Sequence, residues 1–318
     1  LKGAKKKLQK IFLLILLTIN TLIFPFYTGL KYTFRNTQFE NYIVLTSSIE
    51  RKVYIYDLET NKLKYLFNNV GVYPAISYTD KNYLFIIDTV GKEIILIDLK
   101  KQKKYTKRLE HRPIFYNRIN SIIYILDSEG NLFGYDFNLN LVYYHKFVST
   151  PNYFYFYKSK PIGLYIWKND IDFEYQGKIY NYNLTTPSLL VDNFIIDTRG
   201  GNILEIDKKK LYKSEPYISF AIIWNKKLYF GSMFSNTIYS IESGKIEKVA
   251  KLNYQPTYAK IINDKLYILS ASNNKLIIFD NNTIQEIETG DFPIEIFSYK
   301  GEIAVVCAEN GEINIFEF

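Results

Sequence analysis

The chain has 318 residues, of which 47% are hydrophobic, enough to bury a sizeable core in one large domain or two ordinary ones. Its formal charge of +8 is front-loaded: Lys2, Lys5, Lys6, Lys7 and Lys10 all precede residue 11. A single cysteine, Cys307, excludes an intrachain disulfide and a cysteine-based zinc site, and without a C-x-x-C-H run there is no covalent haem.

In chain order, the basic residues 1–10 are followed by the apolar run "IFLLILLTINTLIF" at 11–24 and then Pro25. A charged segment before an apolar one of this length has the pattern of a secretory signal. A spanning helix needs about 20 apolar residues, a length reached here only by counting Phe26 and Tyr27. No A-x-A-like cleavage site follows. The reading favours an uncleaved signal anchor over a cleaved signal peptide within 1–28, with the lysines cytoplasmic and the remainder (29–318) exported to the periplasm or cell surface.

The rest of the chain repeats itself. Seven of nine prolines, Pro74, Pro113, Pro151, Pro187, Pro216, Pro256 and Pro293, are spaced by 39, 38, 36, 29, 40 and 37 residues. After each comes a strand-like run, a polar turn, a second apolar run, a second turn and a third run, with a weaker fourth. Tyr, Phe, Ile and Val suit pleated surfaces, and Asn/Gly/Asp/Lys turns between short runs signal antiparallel hairpins. Four antiparallel strands every ~40 residues describe a β-propeller blade. The third run repeatedly ends in an acid, at Asp57, Asp98, Asp136, Asp207 and Asp280, read as turn formers that bond the following backbone.

The segment "VYIYDLETNKLKYLF" and the Gly-x-x-Pro of Gly71–Pro74 and Gly290–Pro293 resemble the YVTN-type β-propeller repeat family, over about 40–318. The resemblance implies an exported or surface propeller and names no ligand. The count of blades turns on the 29-residue spacing after Pro187. If 151–215 is one blade with an insertion, there are seven blades; if 187–215 stands alone, there are eight. Seven is preferred. The last repeat stops after three strands, and the stretch 26–35 is expected to supply the fourth and close the ring, removing exposed edges.

A propeller of this kind binds at its axial channel and on the face its loops surround. The residues before the prolines are expected to ring one mouth: Tyr73, Arg112, Thr150, Glu215, Gln255 and Phe292. Second-turn residues are expected further out on the same face: Asp88, Asp127, Trp167, Asp197, Arg199, Ser270 and Glu309. The set is chemically mixed, which suits recognition of a protein, glycan or polar small molecule better than a catalytic scheme.

Signals for chemistry are thin. Only His111 and His145 are present, too few for a histidine metal site, and a Ser–His pair would rest on His111. "NDIDFE", with Asn169, Asp170, Asp172 and Glu174, is the best oxygen cluster for calcium, against its reading as a solvated acidic turn. "TRGGN" at 198–202 opens no helix and is not a phosphate loop. Trp167 and Trp224 lie in apolar patterns and are expected in the core, as is Cys307. Asn183 and Asn281 sit in glycosylation-type triplets, relevant only in a host with that machinery. The run Lys100–Lys104 falls where a surface turn belongs, and without a focused basic face no nucleic-acid partner is expected. No cofactor is expected either. The leading reading is an exported, membrane-tethered binding or scaffold propeller. The alternatives are a calcium-dependent lactonase-like or quinoprotein-related enzyme, and a structural surface-layer or adhesion protein.

Overall fold

The computed structural model describes residues 26–27, 35–168, 170–280, 283–309 and 311–317. They form eight four-stranded antiparallel sheets, each running in sequence order from an innermost to an outermost strand. The sheets span 35–67, 74–108, 113–146, 153–180, 187–213, 218–251 and 258–288, with an eighth built from both ends of the chain. These are blades 1 to 8 of a β-propeller.

The expected seven blades are therefore corrected to eight. The 29-residue interval after Pro187 holds a complete blade, because its strands are short: Pro187–Val191, Phe194–Asp197, Asn202–Glu205 and Lys210–Lys213. Blade 4 is short as well, its last two strands being only Phe173–Tyr175 and Lys178–Tyr180. The stretch 151–215 is thus two abbreviated blades and not one blade with an insertion.

Blade 8 takes Pro293–Tyr299, Glu302–Cys307 and Glu312–Glu317 from the C-terminal region and Phe26–Tyr27 as its outer strand. Phe26 pairs with Ile313 and Tyr27 with Glu312. Closure by the stretch after Pro25 is thus as expected, through two residues. The signal or anchor segment lies outside the described residues. Among those described, no helix is long and apolar enough to cross a membrane.

The core is a set of seams. Eight buried clusters each join consecutive blades, and one of them, with Ile43, Leu45 and Tyr56 against Phe297, Val306 and Ile315, joins blade 1 to blade 8. The middle strands are covered on both faces. Side chains alternate along a strand, so Ile43 and Leu45 pack against blade 8 while Val44 packs against blade 2. This explains why the second and third strands read as unbroken apolar runs such as "YLFIID" and "EIILID". The outermost strands, such as "KKYTKR", are largely exposed, and part of the Lys100–Lys104 run belongs to this one.

Each proline opens or just precedes an innermost strand, where a missing N–H is tolerated. In several blades it faces the last residue of the second strand across a bulge, as Pro74 faces Asp88 and Pro187 faces Asp197. Those two carboxylates are fully buried. Asp88 accepts from the backbone N–H groups of Val72, Tyr73 (2.9 Å) and Gly91 (2.8 Å). Asp197 repeats the pattern with Thr185 (2.9 Å), Thr186 (2.8 Å) and Gly200 (2.9 Å). One acid thus ties the loop entering its blade to the turn leaving its second strand. The Gly-x-x-Pro motif follows from this. A Cβ on Gly71 would lie 2.2 Å from the Asp88 carboxylate, and one on Gly290 would lie 2.4 Å from that of Glu312.

Of the five third-strand acids, Asp57, Asp98 and Asp136 bond the backbone of the following turn as expected. Asp207 departs, accepting from Tyr157 and Lys158 of the preceding blade. Asp280 pairs with Lys265 at 3.3 Å.

Replacing Asp88 by Ala orphans several N–H groups in a buried loop and is expected to cost about 3 kcal/mol of stability. Asp136→Ala, at a turn where water replaces the acceptor, is expected to cost less than about 1 kcal/mol. Urea unfolding of the two variants checks the ranking.

Candidate functional site

The two ends of the sheets differ in chemistry. At one end the hairpins joining first to second strands turn through Lys81, Asn120, Asn225, Asn263 and Lys300, all with positive φ, as tight hairpin turns require. At the other end lie the second turns and the loops between blades. Exposed large apolar side chains gather there: Ile49 (67%), Val72, Val90, Val148 (66%), Trp167 (77%) and Phe234 (69%). Among the described residues, the remaining ones lie at the start of an innermost strand, in further loops of this same end, or in outermost strands, and none is on the opposite turns. Trp167, expected in the core, is thus a loop residue with φ 54°. Trp224 is buried, its indole N–H donating to Asp264 at 2.7 Å.

The residues before the prolines and those of the second turns meet on this loop face. The carbonyls of Tyr73, Arg112 and Phe292 accept N–H groups of Thr89 (3.2 Å), Ser128 (2.8 Å) and Ala308 (2.9 Å). Their backbones are structural and their side chains are left free, which accounts for the mixed chemistry of the ring. Tyr73 and Arg112 share a cavity of about 580 Å³ over blades 1 to 3, with Arg35, Ile49 and Tyr116 in its wall. Glu215, Gln255, Arg199, Phe292 and Glu309 are exposed at other blades and take no part in that cavity. Thr150 is half-buried, its hydroxyl on the Ser128 carbonyl. Asp88, Asp127, Asp197 and Ser270 are buried; the three acids hold loops and turns and are not presented to a ligand, which corrects their reading as mouth residues.

The oxygen cluster of "NDIDFE" is also dispersed. Asp172 is buried and accepts from the N–H groups of Tyr182 and Leu184, while Glu174 accepts from the Val148 N–H (3.0 Å) and the Tyr165 hydroxyl (2.8 Å). Asn169 is outside the described residues. Among the described residues no group of three or more His, Cys, Asp or Glu is placed to hold a metal ion. His111 lies 3.5 Å from its neighbour Glu110, and His145 packs edge-on against Phe147. Cys307 is buried, and burial pushes its thiol up to about 12, as befits a packing residue.

A second polar group, on the innermost strands, escaped the sequence reading. Arg35 of blade 1 donates to the Tyr116 hydroxyl of blade 3, reaching past blade 2. Glu295 of blade 8 accepts the Asn36 N–H at 3.3 Å and feels Lys260 of blade 7, whose ammonium donates to the Ile296 carbonyl at 3.0 Å. Burial raises the Glu295 carboxyl to about 7, with Asn36 and Lys260 opposing it; burial lowers Lys260, with Glu295 opposing. Tyr258 and Tyr78 also face Glu295, and burial raises both phenols. The available signal was a charge inside an apolar run: Glu295 in "PIEIFSY" and Lys260 in "YAKII".

The fold and its two faces define the class as a β-propeller. Saccharomyces cerevisiae Sqt1 superposes with TM-score 0.70 at 11% identity, covering 94% of this chain and 99% of that one. BamB from Moraxella catarrhalis gives 0.62 at 11%, covering 94% and 99%. A computationally designed protein gives 0.68 at 10%, covering 92% and 98%. At such identities the likeness is one of fold. No protein-family model and no curated protein sequence matches the chain, so the YVTN-type resemblance stands on the propeller architecture alone.

Because the Glu295 carboxyl is raised from 4.5 to about 7, the folded state holds this proton more tightly than the unfolded chain. The stabilisation is complete below the unfolded value and is lost as pH rises through the folded one. Glu295→Gln is expected to remove this slope. Relative to the variant, the wild type should lose up to about 3 kcal/mol between pH 4.5 and 8, read from denaturant unfolding across that range. A flat difference would mean the carboxylate is solvated.

Proposed function

We propose that this chain is an exported binding module that docks a protein partner on its loop face. The observation that carries the reading is the concentration of exposed apolar side chains on one end of the propeller and their lack on the opposite turns among the described residues. Large apolar side chains exposed together on one face, such as Trp167 (77%) and Phe234 (69%), are consistent with an interaction surface. Further propeller-fold neighbours come from assemblies: BBS1N in complex with ARL6DN, and the mitotic checkpoint complex. The carboxylates an enzyme of the lactonase type would need to converge are here bound to backbone N–H groups. Export, with tethering through residues 11–27 or release after cleavage, rests on the basic and apolar pattern of the first residues.

Affinity capture from the native cells tests the docking face. The paired change Trp167→Ser and Phe234→Ser is expected to lower recovery of the wild type's partners by about tenfold, as loss of exposed aromatic anchors does. Lys100→Ser, at the opposite end, is expected to change nothing. Equal recovery by all three would overturn the reading. For export, alkaline phosphatase joined after residue 34 is expected to be active in living cells; an inactive fusion places the chain in the cytoplasm.

A further inference from the structure

The cavity over blades 1 to 3 has a more specific chemistry than the face around it. Its wall carries two guanidinium groups, Arg35 and Arg112, and among the described residues no Asp or Glu. Arg112 is exposed and forms no ion pair among the described residues. Arg35 donates to Tyr116 and lies over its ring, 5.1 Å from the centroid, and it too forms no ion pair among the described residues. Thr46 belongs to the same wall; it is buried, and its hydroxyl has no hydrogen-bond partner among the described residues. Exposed Ile49, Tyr73 and Ile114 complete the rim, and Val72 and Val90 adjoin it in sequence.

Arginines without an ion pair, in a wall shared by the hydroxyls of Thr46, Ser48 and Thr89 and by apolar side chains at the rim, favour a carboxylate, whose two oxygens match the guanidinium fork. A bare anion would leave most of a 580 Å³ cavity unfilled, and a sugar–phosphate backbone would lie against Ile49, Val72, Val90 and Ile114 without covering them. A side chain carried on an apolar segment meets both requirements. We propose that the juxtaposition of Arg35 and Arg112 within this apolar rim is a socket for an Asp or Glu side chain of a partner segment whose neighbouring residues are apolar. The proposal rests on the loop face being the docking face and adds what is recognised there.

The test uses two sets of acetylated, amidated nonapeptides with apolar flanks, one with a central Glu and one with Gln, titrated by fluorescence anisotropy into the full chain. The Glu set is expected to bind about tenfold more tightly, the loss typical of one charge-assisted contact. Arg112→Gln, at an exposed position, is expected to abolish the preference with an unchanged melting curve. Arg35→Gln, checked for folding in the same way, is expected to do likewise. Equal binding by both sets, no binding by either, or binding only by peptides with a free C-terminal carboxylate would overturn the socket. If whole-partner capture still depends on Trp167 and Phe234 while the Glu preference is missing, only the socket falls. If capture ignores the loop face, both readings fall.

Discussion

Every sheet in this molecule has two faces to bury and, among the described residues, no layer of helices to bury them. The solution is rotational: each sheet covers one face with the blade before it and the other with the blade after. Among the described residues the eight seams hold most of the core, and the seam between blades 8 and 1 is as necessary as the rest. From that constraint follow the apolar second and third strands, the Lys-rich outer strands and the demand for closure. Aromatic residues serve it well, since Tyr and Phe cover large areas in a wedge between twisted sheets. Phe115, for example, meets Tyr153 and Phe154 edge-on between blades 3 and 4.

Superimposed on the seams is a frame of buried polar groups. Asp88 and Asp197 gather N–H groups from two loops each, and the glycines beside them make room. Such a frame separates tasks. The backbone of the loop face is held by a few acids and carbonyls, while the side chains that project from it are free of structural duty. A surface built this way can vary its recognition chemistry without disturbing the ring, and here it carries Trp167, Phe234, Arg112 and Tyr73.

The repeat, the strand order, the closing strand and the loop face could be read in the sequence because turn chemistry and apolar runs recur at a near-constant period. The blade count could not. Period is a proxy for a blade only while strands keep their length, and blades 4 and 5 shorten theirs to three to five residues. The acids at the ends of second strands were misassigned for a different reason. An Asp in a turn looks the same in sequence whether it faces water or collects buried N–H groups; in the structure the distinction shows in the adjacent glycine, where a Cβ would come within 2.2 Å of the carboxylate. The Lys260–Glu295 pair and the Arg35–Tyr116 contact escape a reading of the sequence because each joins residues of different blades that come together only once the ring is formed, although a charge within an apolar strand is a visible sign at Lys260 and Glu295.

The pairing of Phe26 and Tyr27 with Ile313 and Glu312 has a temporal consequence. It is a contact between residues with seven whole blades between them, so loop-closure entropy opposes it until those blades have condensed. During synthesis, blades 1 to 7 can each pair internally as they emerge, but the last sheet and the last seam must wait for the final strand. An unfinished chain therefore presents two uncovered sheet faces, one on blade 1 and one on its newest blade, which are matched to each other's neighbours and prone to meet those of another copy. Protection of those faces while the chain is still growing is a requirement written into the way the ring is fastened.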